Sequence, residues 1–236
     1  MTILNIRKGL TLSRRCKKRK VEFVRKVIVE PGEENNNKGL RVTVCDPDAN
    51  VADLLDAWQP YCSNDTIYKR YAEGNGKDCR GCQTNCCNTA YLIPDLIAFK
   101  KICAINGLNY REGARLFFAS EKMTIGLMRL KGNPCIFLKD GLCVVYEQRA
   151  LLCRFYLCAD LLGSTEQLVY SLAWVGGTAT QNFALEQKLL SNDSCQGRSS
   201  FDLLLHGLLE QYRFDPRVQL FMEARDYRQI PLKPFL

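Results

Sequence analysis

The segment Cys79-Arg80-Gly81-Cys82-Gln83-Thr84-Asn85-Cys86-Cys87 decides how this chain is organised. Its spacing is C-x2-C-x3-C-C, and thiolates are soft ligands that favour zinc, Cu(I) and iron–sulfur clusters. A C-x2-C pair can place both of its sulfurs on one metal, because the intervening turn folds back. Neighbouring side chains diverge in regular backbone. Cys87 therefore serves a different metal or cluster atom from Cys86, or the backbone there is irregular.

A second group of cysteines follows, with Cys135 directly after a proline and then Cys143, Cys153 and Cys158. The ferredoxin spacing C-x2-C-x2-C-x3-C-P is absent, and so is the pair of C-x2-C motifs of a zinc ribbon. The spacing of the two groups therefore predicts a metal site without identifying the metal. Isolated cysteines such as Cys45, Cys62 and Cys103 are expected to be small buried hydrophobic residues.

Composition limits the protein class. The 236 residues are 47% hydrophobic and 25% charged, as in globular proteins, and no run of 18 apolar residues predicts a membrane-spanning helix. The 13 cysteines are odd in number, and the first residues lack the apolar core of a secretory signal. We therefore expect a reducing, cytoplasmic location without disulfides. The single histidine, His206, excludes sites with several histidine ligands and is expected on a helix surface.

The net charge of +8 is concentrated at the N-terminus. Residues 1–30 hold ten Lys or Arg against two Glu, and the remaining residues sum to zero. A basic arm suits nucleic acid or an acidic protein, although no aromatic residues interleave its run 14–20, as they do in many single-strand binders. We interpret it as a solvated basic segment. A nucleic-acid partner rests on this arm alone, and a protein partner is expected instead.

The first sixty residues are rich in β-branched residues. Runs at 21–29 and 40–44 predict a hairpin around a loop at 31–39, and residues 46–48 are expected to cap a helix that includes Trp58. Glycines in the segment 74–76 predict a break before the cysteines.

The later sequence has helical periodicity. Pro94 is expected in the first turn of a helix that Gly107 ends, and further helices are predicted at 111–121, 165–175, 179–190 and 201–212. The C-terminal prolines predict an extended tail packed on the body. The predicted fold is α+β, with a small β-rich segment at 1–60 and a mainly α-helical cysteine-cluster domain at 61–236 that holds its metal site on loops.

The order of these motifs resembles the YkgJ-like cysteine-cluster family, whose domain is described as chelating zinc or iron. The matching residues are Cys79, Cys82, Cys86, Cys87, Pro134, Cys135, Phe137, Leu138, Gly141, Cys143, Tyr146, Glu147, Gln148, Arg149, Cys153 and Arg154. The resemblance covers about residues 76–200, and Cys195 is similar to the later cysteine of the family. This chain has one residue more than the CxxCxxCC spacing, has Ala150 in place of a proline, and has Cys158 in addition.

The resemblance implies a ligand set of eight cysteines: Cys79, Cys82, Cys86, Cys87, Cys135, Cys143, Cys153 and Cys195. Eight sulfurs suffice for two four-coordinate centres, or for one cluster with spare cysteines around it. Four thiolates around Zn²⁺ or a 4Fe-4S core leave net negative charge, which Arg149 and Arg154 beside Cys153 are suited to compensate. The alternative partner for these arginines is a carboxylate such as Glu147.

Three functions are compatible with this pattern. The favoured one is an iron–sulfur protein, with a 4Fe-4S cluster, that acts in electron transfer, redox sensing or cofactor assembly. The second is a zinc-stabilised protein-interaction module, in which the metal contributes only folding energy. The third is a protein-modifying enzyme, because some relatives belong with flagellin lysine N-methylases. No glycine-rich fingerprint for S-adenosylmethionine follows a predicted strand here, and no catalytic residue is assigned.

Overall fold

The computed structural model describes residues 25–62, 86–88, 91–157, 159–190 and 198–236. In these ranges the strands are β1 (Val27–Glu34), β2 (Asn37–Val44), β3 (Leu138–Lys139), β4 (Leu142–Cys143) and β5 (Asp160–Leu161). The helices are α1 (Val51–Cys62), α2 (Leu96–Ile105), α3 (Tyr110–Phe117), α4 (Ser120–Met123), α5 (Leu151–Phe155), α6 (Thr165–Glu186), α7 (Ser200–Tyr212) and α8 (Pro216–Glu223). The predicted α+β class is confirmed, since a small N-terminal sheet precedes a mostly helical body.

Strands β1 and β2 form an antiparallel hairpin with a much shorter turn than predicted. Their pairing continues to Glu34 opposite Asn37, so most of the predicted loop at 31–39 lies in the strands. Asn35 and Asn36 make the turn, with φ of 51° and 65°. Positive φ at both central residues is typical of type I′ turns, whose twist matches that of the flanking strands. The prediction of a long loop was wrong, because asparagine tolerates this left-handed backbone and two asparagines are enough to reverse the chain.

The hairpin joins the helical body through β5, which pairs in parallel with β2. Gly39 lies opposite Asp160, and a β-carbon on Gly39 would be 2.2 Å from the Asp160 carbonyl oxygen. Val29 and Leu40 from the hairpin belong to the same hydrophobic core as the helices. The division of the chain at residue 60 stays a prediction.

Helix α1 packs on β1 and begins later than its predicted cap. Asn50 and Asp53 exchange side-chain-to-backbone hydrogen bonds of 2.9 and 3.0 Å, an arrangement that satisfies the free N–H groups of the first turn. The expected cap at residues 46–48 instead closes its own turn through the Asp46 side chain. Trp58 is buried and meets Phe155 of α5 edge-on, with ring centroids 5.5 Å apart.

Helices α2 and α3 largely follow the sequence periodicity, with two corrections. Asp95 is the N-cap of α2, so Pro94 precedes the helix rather than entering its first turn. Gly107, with φ of 64°, follows the end of the helix as expected. Helix α3 stops at Phe117, short of the predicted end at residue 121, because Phe118 turns extended and bridges to another loop.

Helix α6 is one continuous element of 22 residues where the sequence predicted two. The pair Gly176–Gly177 lies inside it rather than in a turn, since α2, α5, α7 and α8 all pack around this helix. A β-carbon on Gly176 would lie 2.6 Å from the Asp95 Cβ and 3.0 Å from the Phe221 ring. Close approach, and not chain reversal, therefore explains this glycine.

The C-terminal tail packs on the body as expected, but it is only partly extended. It contains the 3-10 turns Tyr227–Gln229 and Lys233–Phe235, and the side chains of Ile230 and Leu232 are fully buried. Helix α8, which the sequence analysis did not predict, precedes it. Among the described residues, none of the helices combines the length and apolarity needed to cross a bilayer.

Candidate metal centre

Short, irregular segments bring together five of the predicted ligands. They are Cys86 and Cys87 in the 3-10 turn Cys86–Asn88, Cys135 before β3, Cys143 in β4 and Cys153 in α5. Charge on one of these thiols changes the pKa of others in the set, so the five form one neighbourhood. Cys79, Cys82 and Cys195 lie outside the described residues, as do Cys158 and most of the basic arm.

Backbone hydrogen bonds connect the two cysteine groups. The Cys135 N–H donates to the Cys87 carbonyl oxygen at 2.8 Å, which ties the vicinal pair to the loop that precedes β3. Strands β3 and β4 form a small hairpin that reverses at Asp140 and Gly141, both with positive φ. This hairpin returns the chain so that Cys143 faces the same neighbourhood as Cys135.

Two of the sulfurs accept backbone N–H groups in the same local pattern. The N–H of Phe137 donates to the Cys135 thiol, and the N–H of Val145 donates to the Cys143 thiol. In each case the donor lies two residues after the cysteine. Such bonds favour the ionised thiolate and are among the contacts that tune metal–sulfur centres. Burial nevertheless raises the pKa of both Cys135 and Cys143, and the two backbone N–H groups offset part of that rise.

Without a cation, the thiols oppose one another's ionisation. Burial raises the pKa of Cys153 and of Cys135, and the charges of neighbouring cysteines raise each of them further. The Cys86 thiol donates to Cys87, which raises the pKa of Cys86 and lowers that of Cys87. Several thiolates in one buried place therefore need a positive centre among them, and a metal ion supplies one.

Arg149 is a cation beside this set. Its positive charge lowers the pKa of Cys86, Cys143 and Cys153. The hydrogen bond to Cys87 in the case of Cys86, and burial in all three cases, raise these pKa values by more. The guanidinium stacks 3.5 Å from the centre of the Tyr146 ring, and its Nε donates to the Tyr146 carbonyl oxygen at 2.9 Å. These two contacts fix the orientation of the guanidinium.

Arg154 contacts the backbone of the same loop. Its Nε donates to the Arg149 carbonyl oxygen at 3.2 Å, and its Nη2 donates to the carbonyl oxygen of Glu147. The Glu147 contact thus uses the main chain and not the carboxylate. Arg154 holds the 147–149 turn in place, and through it the orientation of Arg149.

The isolated cysteines behave in different ways. Cys62 and Cys103 are each 1% exposed and belong to the hydrophobic core, as expected. Burial raises the pKa of Cys103 to about 11. Cys45 corrects both the expectation of a buried thiol and that of a chain without disulfides, because it is half-buried directly after β2 and is disulfide-bonded.

A buried carboxylate behind the cysteines is absent from the sequence-based site. Asp95, 2% exposed, accepts hydrogen bonds from the Ala98 N–H at 3.0 Å, the Leu151 N–H at 2.8 Å and the Tyr227 hydroxyl at 2.8 Å. Burial raises its pKa, although these three donors favour the charged form. An aspartate before an apolar helical run is an N-cap signal. That local signal could not reveal the donors that are distant in sequence, the Leu151 N–H and the Tyr227 hydroxyl.

A second buried carboxylate lies between chain segments that flank predicted ligands. Asp202 is fully buried and accepts bonds from Lys122 at 2.7 and 2.9 Å, from Ser199 and from the hydroxyl of Tyr91. Burial alone would raise the pKa of Asp202, but these donors together hold it well below its usual range. Tyr91 follows Cys87 by four residues, and Ser199 follows Cys195 by four.

The described residues contain no closed coordination shell. Among them, no group of three or more His, Cys, Asp or Glu side chains has the arrangement needed to hold a metal ion. The donor chemistry nevertheless fits a soft metal, because every neighbour that competes for ionisation in the set is another thiol.

Comparison with known proteins identifies one relationship. A family model named CxxCxxCC and described as "Putative zinc- or iron-chelating domain" matches residues 78–195, half of the chain. No curated protein matches the chain. No solved structure matches it either. The matched region contains all eight predicted cysteine ligands, in agreement with the predicted resemblance.

Proposed function

Because the chain belongs to the CxxCxxCC family of domains described as zinc- or iron-chelating, we propose that it is a metal-binding protein with a thiolate-ligated 4Fe-4S cluster. Its roles would be electron transfer, redox sensing or cofactor assembly, with a protein partner. The observation that carries the proposal is the gathering of five thiols in the described residues, which is enough for the four cysteines that a 4Fe-4S cluster takes.

The surroundings of the sulfurs support a cluster. Its reduction potential depends on net charge, hydrogen bonds to sulfur and solvent exposure. Cys135 and Cys143 have backbone N–H donors, Arg149 supplies positive charge, and Cys86 is exposed at one edge. An exposed edge suits electron exchange with a partner. When bound, the cluster would supply one-electron chemistry, and the protein would hold it and set its potential.

The Asp202 network supports Cys195 as a further ligand. Tyr91 and Ser199 both bond to Asp202, and each follows a predicted ligand by four residues. Four residues of extended chain span at most about 14 Å. Asp202 therefore connects described residues that follow two of the predicted ligands, and the position of Cys195 itself stays a prediction.

A zinc-stabilised module is the second candidate, and the small amount of regular structure around the cysteines favours it. Strands β3 and β4 have two residues each, and helix α5 has five. Such short elements contribute little stability alone, and a structural metal can supply the missing folding energy.

Metal analysis separates the two candidates. The full-length protein is purified without oxygen, and iron, zinc and acid-labile sulfide are measured beside absorption and EPR spectra. We expect about four iron and four sulfide per chain, with broad visible absorption. Zinc without sulfide would favour the zinc-stabilised module over the cluster. Absence of both iron and zinc would refute the proposed function.

Two matched cysteine variants test the ligand set. Cys143→Ser is expected to lose bound metal, because the hydroxyl is a hard donor with a high pKa. Cys103→Ser, also a single thiol replacement but in the core of α2, is expected to retain it. Equal metal content in the two purified variants would contradict the assignment of Cys143.

A further inference from the structure

The Asp95 carboxylate connects three parts of the chain that are distant in sequence. Its Oδ1 accepts from the Ala98 N–H, which is ordinary capping of α2. The same oxygen accepts the hydroxyl of Tyr227 from the C-terminal tail, and Oδ2 accepts the N–H of Leu151. A cap needs only the first of these bonds. The other two give this carboxylate a second role.

The bond to Leu151 fixes the start of α5, the helix that contains Cys153. The first N–H groups of a helix have no partner within it, and the residue before α5, Ala150, offers no side-chain acceptor. Leu151 is fully buried, so solvent cannot replace the acceptor. Asp95 therefore caps α5 across the fold, two residues from the Cys153 thiol.

Asp95 is itself held on several sides. Gly176 of α6 approaches its Cβ so closely that no larger residue fits there. Tyr227 is 5% exposed, and its pKa is raised well above the usual value by burial and by the Asp95 charge, so its hydroxyl keeps its proton and donates. The Lys101 ammonium lies 5.2 Å from the Tyr227 ring and pairs with Asp226 at 2.6 Å, which anchors the tail beside Asp95.

We propose that Asp95 and Tyr227 are positioning residues of the metal centre, which hold α5 so that the Cys153 thiolate points at the metal. The inference rests on the proposed metal-binding function and extends it. Tyr227 lies outside the matched region 78–195, so the tail of this chain is part of the support of the centre. Residues that orient metal ligands without touching the metal typically contribute about tenfold to a hundredfold in affinity.

Tyr227→Phe tests this with the loss of one hydroxyl, and Tyr61→Phe is the matched control. The Tyr61 hydroxyl also donates to a single acceptor, the Val29 carbonyl oxygen at 2.7 Å, but it does so on the hairpin side of α1. Both full-length variants and the wild-type protein are loaded with Co²⁺. Thiolate-to-cobalt absorption reports the number of bound sulfurs, and a competing chelator measures the release rate.

We expect Tyr227→Phe to release Co²⁺ at least about tenfold faster than the wild type and to lose part of its thiolate absorption. Tyr61→Phe should match the wild type in both measurements. Asp95→Asn, which keeps the size of the side chain, should change them in the same direction as Tyr227→Phe.

Other outcomes overturn the inference at different levels. If the wild-type protein holds neither iron nor zinc after purification and binds no Co²⁺ through thiolates, the proposed function fails and the positioning role fails with it. If the wild type binds and Tyr227→Phe gives the same spectrum and release rate, the positioning role alone is refuted. A lower melting temperature of Tyr227→Phe with unchanged cobalt properties would also refute it, since the hydroxyl would then serve stability only.

Discussion

Adjacent glycines in the middle of α6 should respond in opposite ways to the same substitution. Alanine in a helix interior is favoured over glycine by about 0.5–1 kcal/mol, because glycine loses more backbone entropy on folding. On sequence alone, Gly176→Ala and Gly177→Ala should therefore be equally stabilising. The structure separates them by the space that each new methyl group would enter.

At Gly177 the new β-carbon would lie 3.5 Å from the Ile93 carbonyl oxygen and 3.8 Å from its side chain, which is ordinary contact. The helix-propensity gain then remains, up to about 1 kcal/mol. At Gly176 the β-carbon would lie 2.6 Å from the Asp95 Cβ. Both α6 and the start of α2 are packed in the core, so neither can move away freely. Overpacking costs about 1–3 kcal/mol and exceeds the gain, so the net change is destabilising.

Thermal unfolding followed by circular dichroism, on protein with its native metal content, measures both effects. For a chain of this size, 1 kcal/mol shifts Tm by about 2–4 °C. We expect Gly177→Ala to raise Tm by up to about that amount and Gly176→Ala to lower it by a similar or larger amount. A rise in Tm for both variants would refute the close approach of α6 to Asp95.

Four other substitutions test three separate parts of the molecule. Lys122→Met leaves the Asp202 charge buried without its cation and should lower the free energy of unfolding in urea by about 3 kcal/mol. Because the folded-state pKa of Asp202 is lowered, this carboxylate contributes fully to the free energy of unfolding above its usual pKa of 3.8, and the contribution is lost as the pH falls below that value. Asp202→Asn should therefore reduce the fall in the free energy of unfolding between about pH 4 and 2. An unchanged fall in the variant would contradict this. Arg149→Met should weaken metal retention against a chelator by about tenfold, whereas wild-type retention would show that its charge is irrelevant. Asn36→Gly should raise the free energy of unfolding by up to about 1 kcal/mol, since φ there is 65°, and a loss of stability would argue against the type I′ turn.

Local signals predicted several elements because the deciding interactions are close in sequence. The apolar spacing of α2, its stop before Gly107 and the helix that ends at Tyr212 all depend on neighbours within one or two turns. The hairpin was also predicted, but its turn was not, since the pair Asn35-Asn36 gives a weaker turn signal than Asn-Gly.

The failures come from contacts between residues that are distant in sequence. Gly176 and Gly177 look like a helix break until the Asp95 β-carbon beside Gly176 and the Ile93 carbonyl oxygen beside Gly177 are known. Five cysteines that the sequence pattern selected lie near one another in the described residues, and the ligand set as a whole stays a prediction. The pattern did not reveal Asp95 or Tyr227, whose roles depend on bonds across more than fifty residues.

The parallel pairing of β2 with β5 sets the order of events during folding. Leu40 and Leu161 are about 120 residues apart, and nearly all of the clustered cysteines lie within the loop that this pairing closes. The hairpin can form as soon as it leaves the ribosome, but its third strand arrives only after the cysteine segments have been synthesised. Metal capture by those segments would shorten the open loop, and each halving of its length lowers the closure cost by about 0.6 kcal/mol. Metal supply should therefore accelerate completion of the sheet by a few-fold at most.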